Sequence, residues 1–163
     1  MTVDKPISPG ARIGHVHLKV ADLERSLAFY CGVLGFEVTE RYGTSAAFVS
    51  AGGYRHHIGL NNWESLGGQP PSPGTTGLYH LAILYPTRSD FADALRRVQA
   101  AGIPLDGASD HGVSEALYLR DPDSNGIELY WDRPTSEWPR TDGRLNMFTQ
   151  RLDLAMLLAE IPG

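Results

Sequence analysis

Over residues 13–20, IGHVHLKV, apolar and polar positions alternate with the period of a strand. The period then changes. Asp22 stands where an N-cap would, and Leu23, Leu27, Tyr30 and Leu34 recur on one helical face, closed by Gly35. Strand-like runs follow at 36–42, 45–51 and 54–61, before a loop rich in Gly, Pro and Ser at about 64–76. The same order then begins again. GLYHLAIL, residues 77–84, reads as a strand. Thr87 or Ser89 can cap a helix running to about Ala101, with Phe91, Leu95 and Val98 as its apolar stripe and Gly102 at its end. Strands are expected near 104–108, 114–120 and 126–131, the last two joined by the turn sequence DPDSNG at 121–126.

Each half is a βαβββ unit, about 13–62 and 77–131, and the first-strand histidines of the two lie 65 positions apart. A half-unit cannot bury its sheet face alone, so the two units share one domain, 13–134. The expected fold is α+β: two βαβββ repeats forming an open, incomplete β-barrel with flanking helices and a cavity inside. Residues 1–12 read as a flexible arm. Residues 135–163 read as a tail whose amphipathic stretch, Leu152 to Leu158, forms a short helix strapped onto the barrel or onto a partner subunit.

With 163 residues and 42% hydrophobic content, the chain can build one sizeable core. A net charge of −5 and the lack of any basic run argue against nucleic acid or an anionic membrane as partner. Cys31 is the one cysteine, so no intrachain disulfide forms, which suits a reducing cytoplasm. No apolar run approaches the roughly 20 residues of a membrane span, and MTVDKPISPGAR does not read as a signal peptide.

The chemistry-bearing residues fall at matched places in the two units. His15 lies on the first strand of unit one, His80 at the equivalent place in unit two, and Glu128 on the last strand of unit two, just after the DPDSNG turn. A lone strand histidine is ordinarily a hydrogen-bonded residue near the surface. Glu128 is harder to explain that way, because it interrupts the apolar run GIELYW and an unpaired buried carboxylate is costly. Two neutral imidazoles and a carboxylate form a facial donor set that suits Fe(II), and also Mn, Zn or Ni, with positions left open for substrate.

HVHLKVADLERSLAFYCGVLGF, GLYHLAIL and DPDSNGIELY together resemble the vicinal oxygen chelate superfamily, which includes glyoxalase I, extradiol ring-cleaving dioxygenases, fosfomycin-resistance enzymes and bleomycin-binding proteins. The resemblance covers about residues 13–134. In that family the first ligand lies seven residues before the helix-opening Asp; from Asp22 this selects His15 and leaves His17 as a backup ligand or cavity-lining residue. The subgroup most resembled is the extradiol dioxygenases of the catechol 2,3-dioxygenase type. YRHHIGL resembles the run whose histidine is their acid/base, which implies His56, with His57 second. SDHGVSEALYLRDPDSNGIEL resembles the stretch holding a second active-site histidine and a tyrosine, which implies His111 and Tyr118. A homo-oligomer taking an aromatic diol and O2 is the implied form. Glyoxalase I takes a fourth ligand, typically Glu, from the last strand of unit one, and no Glu occurs within 54–61. A lyase or isomerase on the same metal, and a metal-independent binder of aromatic compounds, are the rival readings.

Overall fold

The computed structural model describes residues 5–162; the first four residues of the arm lie outside the described residues. Strand β1, Val16–Lys19, turns Leu18 inward and leaves His17 and Lys19 on the opposite, open face, as the period of two requires. The Asp22 carboxylate caps helix α1, Leu23–Leu27, by accepting from the Arg25 N–H. The next six residues, Ala28–Val33, widen into π turns rather than continuing as a regular helix. Strands β2 (Glu37–Tyr42), β3 (Ala46–Ser50) and β4 (Ile58–Asn61) complete the first unit. β4 starts four residues later than the alternation predicts, so His56 and His57 sit in the approach to the strand.

The second unit repeats the plan: β5 (Leu81–Leu84), α2 (Arg88–Ala100), β6 (Leu105–Asp110), β7 (Ser114–Arg120) and β8 (Gly126–Asp132). Thr87, not Ser89, is the α2 N-cap. In both units the first strand pairs parallel to the last, giving the orders β1-β4-β3-β2 and β5-β8-β7-β6. Each second strand carries a bulge against the third, between Val38 and Glu40 and between Leu105 and Gly107. The two sheets share no ladder and stay open, as the incomplete barrel predicts.

One core joins the units: Leu18, Leu23 and Tyr30 cluster with Phe91, Leu95 and Leu129. The DPDSNG turn pins them. Asp121 accepts from the Asp123 and Asn125 N–H groups and from the buried Tyr30 hydroxyl at 2.9 Å, while Asp123 takes the Arg25 guanidinium at 2.6 Å and the Ala21 N–H at 3.2 Å. The start of β8, and Glu128 with it, is thereby tied to the helix of the other unit. The tail does more than the expected helix. After a hairpin of β9 (Arg140–Thr141) and β10 (Arg144–Leu145), it adds β11, Gln150–Arg151, to the free edge of β6, then ends in α3, Leu154–Leu158, with Leu157 buried. Arg88 of α2 and Arg133, just past β8, clamp the buried carboxylate of Glu115 at 2.8 and 2.7 Å. Among the described residues, no helix is long and apolar enough to cross a membrane.

Candidate metal centre

Register builds the unit-two half of the site. Glu128 on β8 lies opposite Tyr118 on β7 and Ala82 on β5. His80, two residues before Ala82, lies at the mouth of the same face. The His80 Nε2 stands 3.0 Å from a Glu128 carboxylate oxygen, both side chains partly open to solvent. Gly126 makes this approach possible: a Cβ there would lie 2.1 Å from the Tyr79 carbonyl oxygen, so only glycine lets the 79–80 backbone sit against β8. Tyr118 packs beside His80 with ring centroids 6.1 Å apart, and its hydroxyl meets the His111 Nε2 at 2.9 Å. Burial and the neighbouring Glu128 carboxylate push the Tyr118 phenol up to about 12, so it stays neutral.

The unit-one half gathers on the open face of the first sheet. His15 stacks on His56 with centroids 4.5 Å apart, and Phe48 backs His56 at 4.9 Å. His17 packs between Phe48 and Trp63. Partial burial, then the cations and imidazoles of Arg55, His15, His17 and His57, hold His56 below its ordinary value, which favours a neutral, proton-accepting ring. His57 lines the cavity that His15 and His80 also border. Its Nδ1 contacts the Ser50 hydroxyl at 3.0 Å and accepts from the Ala51 N–H at 3.3 Å.

His80, Glu128, Tyr118 and His111 are thus brought together, and His15 and His56 are brought together apart from them. Among the described residues no group of three or more His, Cys, Asp or Glu side chains converges as a ready metal cage. His15 and His80 do line one cavity of about 770 Å3, between the ends of β1 and β5, with Leu34, Phe36, Leu84 and Tyr130 among its walls. The donor chemistry fits a divalent cation: an imidazole nitrogen and a carboxylate oxygen already converge at 3.0 Å, and a second imidazole borders the same space.

The repeat also exposes a difference between its halves. His17 pairs with Gly59 where Ala82 pairs with Glu128, so Gly59 is the unit-one counterpart of the carboxylate. A Cβ at Gly59 would come 2.9 Å from the His17 ring. No side chain at this place can reach a metal. Phe48, opposite Gly59, is likewise the counterpart of Tyr118. Sequence reasoning did not single out Phe48, Gly59 or Trp63; the strand pairing that makes them part of this face has no signature in the linear pattern.

Paired βαβββ units with open sheets and histidine and carboxylate donors facing out of them define a metal-binding α+β class. The chain belongs to the Glyoxalase/Bleomycin resistance protein/Dioxygenase superfamily, whose family model matches residues 12–129. It is 44% identical over 155 residues to a catechol-2,3-dioxygenase of Bacillus subtilis (strain 168), covering 94% of this chain and 53% of that one. It is 30% identical over 131 residues to biphenyl-2,3-diol 1,2-dioxygenase 3 of Rhodococcus globerulus, covering 80% and 68%. The chain thus spans about half the length of the Bacillus protein. Among solved structures, a glyoxalase/dioxygenase from Nostoc punctiforme shares the fold with a TM-score of 0.65 at 23% identity, covering 82% of this chain and all of that one.

Proposed function

We propose that the protein is a metal-dependent extradiol dioxygenase that cleaves the ring of a catechol-type aromatic diol with O2. The observation that carries this reading is the group around Glu128: its carboxylate 3.0 Å from the His80 imidazole, flanked by Tyr118 and the His111 that its hydroxyl meets. In this reading His15, His80 and Glu128 hold the metal, Fe(II) in the first instance. The bound metal would supply adjacent positions for the diol oxygens and O2. The protein residues do the rest. His56, neutral and beside His15, takes a hydroxyl proton from the diol as it binds. Tyr118 and His111 offer hydrogen bonds to the oxygens on the other side, where negative charge develops. The walls of the cavity are largely apolar, which suits a flat aromatic ring. The similarity to two ring-cleaving dioxygenases supports the same chemistry. The reading includes a homo-oligomer working in the cytoplasm.

One specific observation favours a second reading. The 4.5 Å stacking of His56 on His15 places another imidazole where a fourth ligand could stand, as a glyoxalase-like lyase would need, although the carboxylate position itself is Gly59. Reconstitution with Fe(II) under argon, followed by aerobic addition of catechol, tests both. A yellow ring-opened product is expected. Its absence with Fe(II) and Mn(II), on protein shown to hold the metal, would overturn the dioxygenase reading.

A further inference from the structure

The tail beyond residue 134 has no part in the reading above, and it lies outside the matched family region, 12–129. Yet it closes over the loop that carries His111. That loop, residues 111–113, joins β6 to β7. The His111 N–H donates to the Ser114 carbonyl at 2.8 Å, and the Gly112 N–H to the Asp110 carboxylate at 2.8 Å. Gly112 takes a φ of +76°, which a residue with a side chain rarely adopts. Its bare Cα is covered from outside: a Cβ there would lie 2.5 Å from the Phe148 ring and 2.9 Å from the Pro139 ring. The Asn146 N–H donates to the Pro139 carbonyl at 2.9 Å, which brings both rings onto the same glycine. The Phe148 N–H then donates to the His111 carbonyl at 3.3 Å, and β11 continues along β6 with Gln150 opposite Asp110. The His111 ring leaves this loop between two hydroxyls, Tyr118 at 2.9 Å and Thr149 at 3.0 Å.

We propose that Phe148 is a positioning residue: its ring, seated on Gly112, fixes the loop and so sets where the His111 imidazole stands beside Tyr118. Tyr118 and Glu128 are mounted on paired strands and are held by the ladder between β7 and β8. His111 is on a turn, and a group on a loop is placed less precisely than one on a strand unless something outside the loop supports it. The Phe148 ring is that support. It lies against a residue with no side chain of its own, so the turn cannot move outward without displacing the ring. The ring is also 42% exposed and stands outside the hydrophobic core, so little of the stability of the fold depends on it. Thr149 follows Phe148 directly, and the seat of the ring therefore also sets the Thr149 hydroxyl against the imidazole.

The effect on turnover rests on the extradiol reading; the hold on the loop does not. The first measurement is amide exchange by NMR on the full 15N-labelled, metal-free chain. In Phe148→Ala the His111 and Gly112 amides should exchange roughly 10-fold faster, while the Leu117 and Leu119 amides of β7 and the urea midpoint stay near the parent's. The second is turnover of the Fe(II)-loaded protein with catechol. There kcat should fall about 10-fold, short of the roughly 100-fold that a 1 Å misplacement can cost, with KM and bound metal unchanged. Met147→Ala, which trims the neighbouring and more exposed side chain, should match the parent in both. Gly112→Ala supplies the converse: its methyl meets the ring in the parent but not in Phe148→Ala, so it should speed His111 exchange more in the parent background. Unchanged His111 exchange in Phe148→Ala, an equal effect of Gly112→Ala in the two backgrounds, or a Met147→Ala protein as altered as Phe148→Ala would overturn the proposal. So would faster exchange throughout β7 with a lower urea midpoint, which would make the ring a general prop of the fold. Faster exchange confined to the loop, in a protein whose parent cleaves no catechol, would uphold Phe148 and remove the extradiol reading instead.

Discussion

Gly126→Ala is the smallest change that should damage the centre. A methyl group at this place would sit 2.1 Å from the Tyr79 carbonyl oxygen and 3.1 Å from the His80 Cβ. Contacts of a Cβ below about 3 Å do not persist, so the 79–80 backbone must retreat by about 1 Å. Overpacking of this type costs about 1–3 kcal/mol. For a chain of this size that lowers Tm by roughly 2–12 °C. The larger consequence concerns His80, whose Nε2 now stands 3.0 Å from Glu128. A 1 Å displacement of a site group can cost about 100-fold in rate, and the donor pair would no longer close on one cation. Two other glycines of the same sheet faces serve as internal standards. At Gly107 a Cβ would meet only the Tyr118 ring, at an ordinary 3.7 Å, so Gly107→Ala should be neutral or stabilise by about 0.4–1 kcal/mol. At Gly59 the obstacle is the exposed His17 ring, which can tilt, so the cost should be smaller than at Gly126. Urea unfolding of the metal-free proteins, and bound metal per chain after incubation with Fe(II), give the two readouts. Equal midpoints and equal metal content in Gly126→Ala and Gly107→Ala would refute the claim that the close approach at Gly126 shapes the centre.

Glu128→Gln keeps the shape of the side chain and removes its charge; metal content measured after dialysis should fall, while the urea midpoint of the metal-free protein should not. His56→Ala should retain metal and lose about 10²–10⁴-fold in single-turnover rate with catechol, and loss of metal instead would favour the lyase reading. His57→Ala should keep its turnover rate and lose about 1 kcal/mol of stability, because it removes the partner of the Ser50 hydroxyl and the Ala51 N–H. Partial burial raises Asp110, but the Gly112 N–H, Gln150 and Arg133 outweigh it and leave the carboxyl below its ordinary 3.8. A depressed native value gives stability that is complete above about pH 4 and is lost as pH falls through the native pKa. Asp110→Asn should therefore flatten the acid side of the stability–pH curve, and an unchanged slope below pH 4 would show that the carboxylate is not paired in solution.

What the linear pattern reveals is what depends on local period and turn chemistry. The doubled βαβββ order, both helix caps, the DPDSNG turn and the alternation that separates His17 and Lys19 from Leu18 are all local, and all are legible. The boundaries drift where tertiary contacts decide: β4 begins at Ile58, four residues later than the alternation predicts, although the His57 backbone still bonds Val16 on one side and Val49 on the other. The widening of the first helix into π turns has no signal in its apolar stripe. His80 was legible from the repeat, whereas Tyr118 and His111 were legible only through resemblance, since which residues lie beside Glu128 depends on the pairing of β8 with β7 and of β7 with the bulged β6. The two-residue strand of the tail is shorter than any periodic pattern can mark.

The two units keep the same backbone plan and have parted in chemistry, and the register identifies each exchange. Where unit two has Ala82, Glu128 and Tyr118 in a row across three strands, unit one has His17, Gly59 and Phe48. The substitutions depend on one another. Removing the side chain at 59 opens the space into which the His17 ring folds, and Phe48, without a hydroxyl, packs against that ring at 5.6 Å. At these three matched places the unit-one face is thereby aromatic and without a carboxylate. Such a face disfavours the protonated form of the imidazoles on it, as the lowered values of His17 and His56 indicate: burial is the leading cause for each, and the adjacent imidazoles add to it. The unit-two face keeps its carboxylate and adds a phenol that holds its proton. In the proposed reading one sheet accepts a proton and the other anchors a cation and donates hydrogen bonds. Restoring the carboxylate should erase this division. In Gly59→Glu the new side chain would displace His17, attract protons to the neighbouring imidazoles and raise their pKa values. Titration of the His56 ring by NMR should then move upward from its depressed value; an unchanged titration would mean that the two faces are not electrostatically distinct.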